Sequence, residues 1–169
     1  MNLPNDHLPV QALILDRELI QRIYAERTAH GNSPHDEVWD GLLVLFSLPD
    51  NCHRKLVSCL SVAFESITPH STYPGVNISD RYTDWLHNFR CPDVAVYLPT
   101  NPALDAGTHW VGGPDIAVEV VSPGEDPKLK HDFYAKVNTR EVLIVDRDQT
   151  NMDGVIYILR LRLCIRNDG

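Results

Sequence analysis

Glu119 is the one charged side chain in the apolar run Ile116-Ala117-Val118-Glu119-Val120-Val121, and Lys130 and Tyr134 stand four apart shortly after it. A carboxylate on an apolar strand is stripped of water and needs a partner, either a metal ion or a lysine. Asp93 opens a second apolar run, Val94-Ala95-Val96-Tyr97-Leu98. Sequential strands are often neighbours, so the two carboxylates can converge at one end or face of a sheet. Paired carboxylates repel unless a cation shares them, and hard oxygen donors of this kind suit Mg²⁺ or Mn²⁺. A lysine beside such a pair can orient or deprotonate a water and stabilise charge developing on a phosphoryl group. The plainer alternative makes Asp93 a turn acceptor and pairs Glu119 with Lys130 or an arginine; spacing alone leans that way. Asp115, after a loop, reads as a turn cap.

These residues need elements to hold them. Period-two geometry puts Asp115, Ala117 and Glu119 on one face of their strand and Ile116, Val118 and Val120 on the other, and the continuous apolar run implies burial on both faces. Asp126-Pro127 reads as a helix cap with proline at the first helical position. The helix after it buries Leu129, Phe133 and Val137 and carries Lys130 and Tyr134 on the adjoining face. Glu141–Asp146 is a further strand, and Val155–Ile165 alternates as a half-buried one.

Upstream, residues 1–15 read as an irregular arm and Asp16 caps a helix to about His30, closed by Gly31, with Leu19, Ile20, Ile23 and Tyr24 on one face. Asp40-Gly41 marks a hairpin turn. A second helix starts at Asp50 or Asn51, with Leu56, Leu60, Ala63, Phe64 and Ile67 inward and His53, Arg54 and Lys55 outward. Residues 68–90 give the weakest pattern, with Tyr82, Trp85 and Leu86 partly buried. Strands around helices make an α/β domain with a mixed sheet.

Composition narrows the function classes. A net charge of −8 argues against gripping nucleic acid by bulk charge. From Cys91 to Pro127 there are six acidic residues and no Lys or Arg, a solvated surface or a cation site. The N-terminus lacks a basic region followed by an apolar run, and no apolar stretch reaches membrane-spanning length; the expectation is a cytoplasmic protein with no membrane partner. The cysteines at 52, 59, 91 and 164 show no CxxC pair and read as reduced, buried thiols. His35-Asp36-Glu37 has no PCxxC to complete a zinc deaminase, no GxSxG elbow occurs, and Gly112-Gly113-Pro114 lacks the lysine of a phosphate loop. His53 reads as a surface or structural residue rather than a ligand.

Taken together, RCPDVAVYLP, GGPDIAVEVVSP and KHDFYAKVNTREVLIVDRD resemble the Uma2 (DUF820) family of the PD-(D/E)XK restriction-endonuclease-like superfamily. Upstream, DEVWDGLLVLFSLPDNCHRKLVSCL resembles that family's opening hairpin and histidine-bearing helix, so the likeness spans about residues 36–148. The resemblance implies one restriction-endonuclease-like α/β domain, a mixed sheet flanked by helices, with an arm and helix over 1–35 and the nuclease-like part over 36–169. It implies Asp93 and Glu119 as metal ligands and Lys130, moved from the strand to the helix, as the catalytic lysine; Val121 stands where the usual lysine would be. Tyr134 would buttress Lys130, and Glu37 resembles an additional family acid. Asn138 stands where the family has glycine, and asparagine can take the same left-handed backbone. The closing strands are short against the family pattern.

The resulting expectation is a Mg²⁺- or Mn²⁺-dependent endonuclease hydrolysing DNA phosphodiesters, acting as a homodimer, with phosphate contacts from Arg54, Lys55, Lys128 and Arg140. The rivals are a catalytically silent nuclease-fold binding or assembly module, and a phosphodiesterase for small substrates.

Overall fold

The structure is a computed structural model that describes residues 11–14, 16–29, 36–46, 49–122, 126–146 and 157–162. Strand β1 (Gln11–Ile14) and helix α1 (Arg17–Ala29) lead to the hairpin β2 (Glu37–Trp39) and β3 (Leu42–Phe46), and helix α2 (Asn51–Ile67) follows. Short strands β4 (Thr72–Pro74), β5 (Ile78–Ser79), β6 (Phe89–Arg90), β7 (Val94–Val96), β8 (Leu104–Asp105) and β9 (Trp110–Val111) precede the long β10 (Ile116–Val121). Helix α3 (His131–Lys136), β11 (Glu141–Asp146) and β12 (Tyr157–Arg162) complete the described fold.

The strands form two mixed sheets where the sequence implied one: a five-stranded sheet ordered β12-β11-β10-β7-β4 and a seven-stranded sheet ordered β1-β3-β2-β6-β5-β9-β8. The five-stranded sheet is the centre of the molecule. Its β10 pairs parallel with β11 and antiparallel with β7, so the strands bearing Glu119 and following Asp93 are neighbours. On one face Val94, Val118, Val120 and Val145 pack under Leu56, Val57, Leu60 and Phe64 of α2. On the other, Ala95, Ala117 and Ile144 pack under Phe133, Tyr134 and Val137, with Ile78 reaching in from the second sheet. Both faces of β10 are buried, as the continuous apolar run requires.

Local chemistry explains the element ends. Asp16 and Asp50 cap α1 and α2, accepting from the backbone N–H groups of Leu19 and His53. Asp40 and Gly41 both have positive φ (48° and 86°), the type I′ pattern that suits a two-residue hairpin. Asn138 closes α3 with φ 63°, the left-handed conformation that asparagine tolerates. Asn138→Gly is therefore expected to leave the urea unfolding midpoint close to wild type, whereas Asn138→Val lowers stability by about 1–2 kcal/mol.

Several expectations fail for tertiary reasons. The arm is not wholly irregular, because Gln11–Ile14 pairs with β3. Leu129 is 55% exposed: Pro127–Lys130 forms a 3-10 turn rather than α-helix, which rotates Leu129 away from the face shared by Phe133 and Val137. Ala63, Ile67, Tyr82 and Leu86 are exposed, while Trp85 is half-buried. Cys52 and Cys59 are free but exposed. Residues 1–10, Gly31, His35, Cys164 and the ends of the last strand lie outside the described residues. No described helix is long and apolar enough to cross a membrane.

Candidate active site

The β7–β10 register opposes Val94 to Val118, so Asp93 falls opposite the Glu119 end of β10. The Val120 backbone N–H donates to Asp93 Oδ2 at 2.7 Å, and His53 Nε2 lies 2.8 Å from Oδ1. With the carboxylate as acceptor, Nε2 carries the proton. His53 is 7% exposed, and its Nδ1 is buried with no partner among the described residues. The outward placement expected for His53 is thus corrected: it lies on the same helical stripe as Leu56, Val57, Leu60 and Phe64, facing the sheet.

Glu119 points to the opposite face, toward α3. Lys130 Nζ is 3.1 and 3.0 Å from its two carboxylate oxygens, and the Tyr134 hydroxyl donates to Oε1. The same ammonium lies 2.9 Å from Oε1 of Glu37 on β2, so one lysine joins carboxylates from both sheets. The Cys91 N–H and Trp39 Nε1 also donate to Glu37, at 2.9 and 2.7 Å. Arg90 stands behind it, Nε 4.0 Å from Oε2, with its guanidinium between the Trp39 and Phe133 rings. Glu37, Lys130 and Tyr134 are all buried.

Asp93, Glu119, Lys130 and Glu37 line one cavity of about 50 Å³, with His53 and Ser122 in its wall. Tyr134 reaches this group through Glu119 rather than lining the cavity. Among the expected phosphate contacts, Arg140 is drawn elsewhere: it pairs with Asp115 at 3.0 Å, beside Ile116 at the far end of β10. Asp115 accepts from Leu98 N–H and Asn101 Nδ2, the loop-capping role its position implies.

Burial, aided by Glu37 and Asp93 and opposed by Lys130 and the Tyr134 hydrogen bond, raises the Glu119 carboxyl to about 7. Burial lowers the Lys130 ammonium, but Glu119 and Glu37 outweigh it and raise it above the ordinary lysine range. A carboxyl raised above its unfolded value favours the folded state most below the unfolded pKa and loses that contribution as pH rises through its folded value. Wild-type stability in metal-free buffer is therefore expected to decline between about pH 4.5 and pH 7 through this group, with a flatter urea-midpoint profile for Glu119→Gln.

The donor set fits a hard divalent cation. Of roughly four lone-pair positions on each carboxylate, Glu119 uses three, two on Lys130 and one on Tyr134, and Asp93 uses two. Both keep acceptor capacity toward the cavity. Three acidic side chains, Glu37, Asp93 and Glu119, stand here against two basic ones, Lys130 and Arg90. Mg²⁺ takes one or two carboxylates and keeps its remaining waters. No group of three or more His, Cys, Asp or Glu side chains is arranged for a metal among the described residues.

Mixed sheets flanked by helices, with this acidic pair on neighbouring strands, give the α/β architecture of a restriction-nuclease-like domain. The chain belongs to the Uma2 family: the family model, described as "Putative restriction endonuclease", matches residues 21–155. It is also similar in fold to a solved structure from Anabaena variabilis ATCC 29413, titled a "putative nuclease belonging to DUF820". That match has a TM-score of 0.57 and 18% identity over 77% of this chain and 73% of the other. No curated protein matches.

Proposed function

We propose that the protein is a Mg²⁺- or Mn²⁺-dependent endonuclease hydrolysing DNA phosphodiesters at the Asp93–Glu119–Lys130 cavity. The observation that carries this reading is the convergence of two carboxylates and a lysine on one small cavity, each fixed by partners from other elements. Asp93 and Glu119 would hold the cation, which when bound supplies Lewis-acid stabilisation of phosphoryl charge and lowers the pKa of water.

The chain's own groups do the rest. His53 and the Val120 N–H fix the Asp93 carboxylate, and Tyr134 fixes Glu119. Lys130 sits beside Glu119 as a positive charge that can orient an attacking water and stabilise the crowded phosphoryl oxygens. Glu37 keeps that lysine charged and aimed, the role its position supports for the additional acid.

One observation favours a second reading. Lys130 bridges Glu37 and Glu119 within contact distance of both, as a purely structural ion-pair network would. That reading makes the domain a silent binding module. Mn²⁺ titration separates the two: uptake by wild type, lost in Asp93→Ala and Glu119→Ala, supports the nuclease, whereas no uptake, or uptake indifferent to both changes, supports the silent module.

A further inference from the structure

A second opening adjoins the cavity. It is a groove of about 330 Å³ that shares Pro49, His53, Cys91 and Asp93 with the cavity wall and continues past Arg54 and Ser58. Val57, Pro74 and Pro92 give it apolar sides. Arg54 Nε donates to the Pro49 carbonyl at 3.1 Å, which seats the guanidinium at the rim. Its terminal amino groups have no partner among the described residues. Ser58 stands one turn further along α2, its hydroxyl bonded to the Arg54 carbonyl at 2.9 Å.

We infer that this groove is the subsite for the strand flanking the scissile phosphate, with Arg54 binding the neighbouring backbone phosphate. The inference rests on the phosphodiesterase reading of the cavity and adds where the polymer runs. The groove opens directly onto the Asp93 side of the cavity, so a strand lying in it delivers its next phosphate to the carboxylates. The size is that of a small-ligand pocket, enough for part of one strand and too small to enclose a duplex. Apolar sides suit a sugar and a base face, and a fork of guanidinium donors suits a phosphate. The other expected cations are not so placed: Lys55 and Lys128 line neither opening, and Arg140 is held by Asp115. A protein of net charge −8 that binds nucleic acid needs such a local cation.

The test is binding of a fluorescein-labelled single-stranded DNA oligomer to the full chain, by anisotropy, in Ca²⁺ buffer and in EDTA, over a range of salt. Arg54→Ala is expected to weaken binding about tenfold and to reduce the salt slope by about 0.7, one phosphate contact on a single strand. Ser58→Trp, which fills the groove from an exposed helix position, should weaken binding to a similar degree. Lys55→Ala, which removes an equal charge one residue away, should stay within about twofold. Thermal melts confirm that the variants are folded. If wild type binds but Arg54→Ala loses no more than Lys55→Ala and Ser58→Trp binds normally, the groove is not the subsite and the nuclease reading stands. If wild type binds no DNA in either buffer, the nuclease reading falls and the groove with it.

Discussion

Lys130→Met is expected to lose about 3–5 kcal/mol of stability, read from its urea midpoint at neutral pH. The ammonium is the charge that touches both Glu37 and Glu119, each nearly inaccessible to water. Removing it leaves two buried carboxylates facing each other across the junction of the two sheets. Arg90, 4.0 Å from Glu37, offsets one of them only in part. Adding Glu37→Gln and Glu119→Gln to Lys130→Met should restore much of the loss, because the energetic problem is unpaired charge rather than lost packing. A loss below about 1 kcal/mol for the single change would mean that Glu37 and Glu119 take up protons or water once Lys130 is gone.

The second large effect is on chemistry. Asp93→Asn is expected to reduce Mg²⁺-dependent DNA hydrolysis about a hundredfold or more, the scale set by removing one preorganised electrostatic group from an active site. It should shift stability by no more than about 1 kcal/mol, since the amide oxygen can still accept from Val120 N–H. The measurement is the rate of oligonucleotide cleavage with the urea midpoint as a folding control. Full activity in a folded Asp93→Asn protein would remove Asp93 from the reaction.

The parts of this arrangement written in local sequence are legible in the residues themselves. The apolar run around Glu119 specifies a strand buried on both faces, and Asp126-Pro127 specifies a helix start. Asp40-Gly41 specifies the hairpin, and Asn138 takes the left-handed turn that asparagine tolerates. Placing Asp93 beside Glu119 needed only the pairing of sequential strands within the five-stranded sheet. Leu129 was misplaced because a proline-led 3-10 turn has a different period from the α-helix assumed for it.

His53 was misplaced although the signal was present. Extending the helical stripe one turn back from Leu56 and Val57 puts it inward, but polarity suggested the surface. Glu37 was visible only through the family likeness. Its distant partners come from Arg90 on β6, from Cys91 just after it and from Lys130 in the 3-10 turn before α3, contacts that no local pattern encodes. The division into two sheets was illegible for the same reason. Strands of two residues, such as β5, β6, β8 and β9, exist through the pairing partners they meet and have too little length to show a period.

On the proposed reading, Asp93, Glu119 and Lys130 form a cation-dependent site for phosphodiester hydrolysis. Nicking of supercoiled plasmid tests it most directly, with wild type, Asp93→Asn and Glu119→Gln compared in Mg²⁺ and in EDTA. Wild type is expected to nick in Mg²⁺ and not in EDTA, with near-complete loss in both folded variants. Nicking that persists in EDTA, or that survives both substitutions, would contradict it, as would a well-folded wild type that leaves DNA intact in both Mg²⁺ and Mn²⁺.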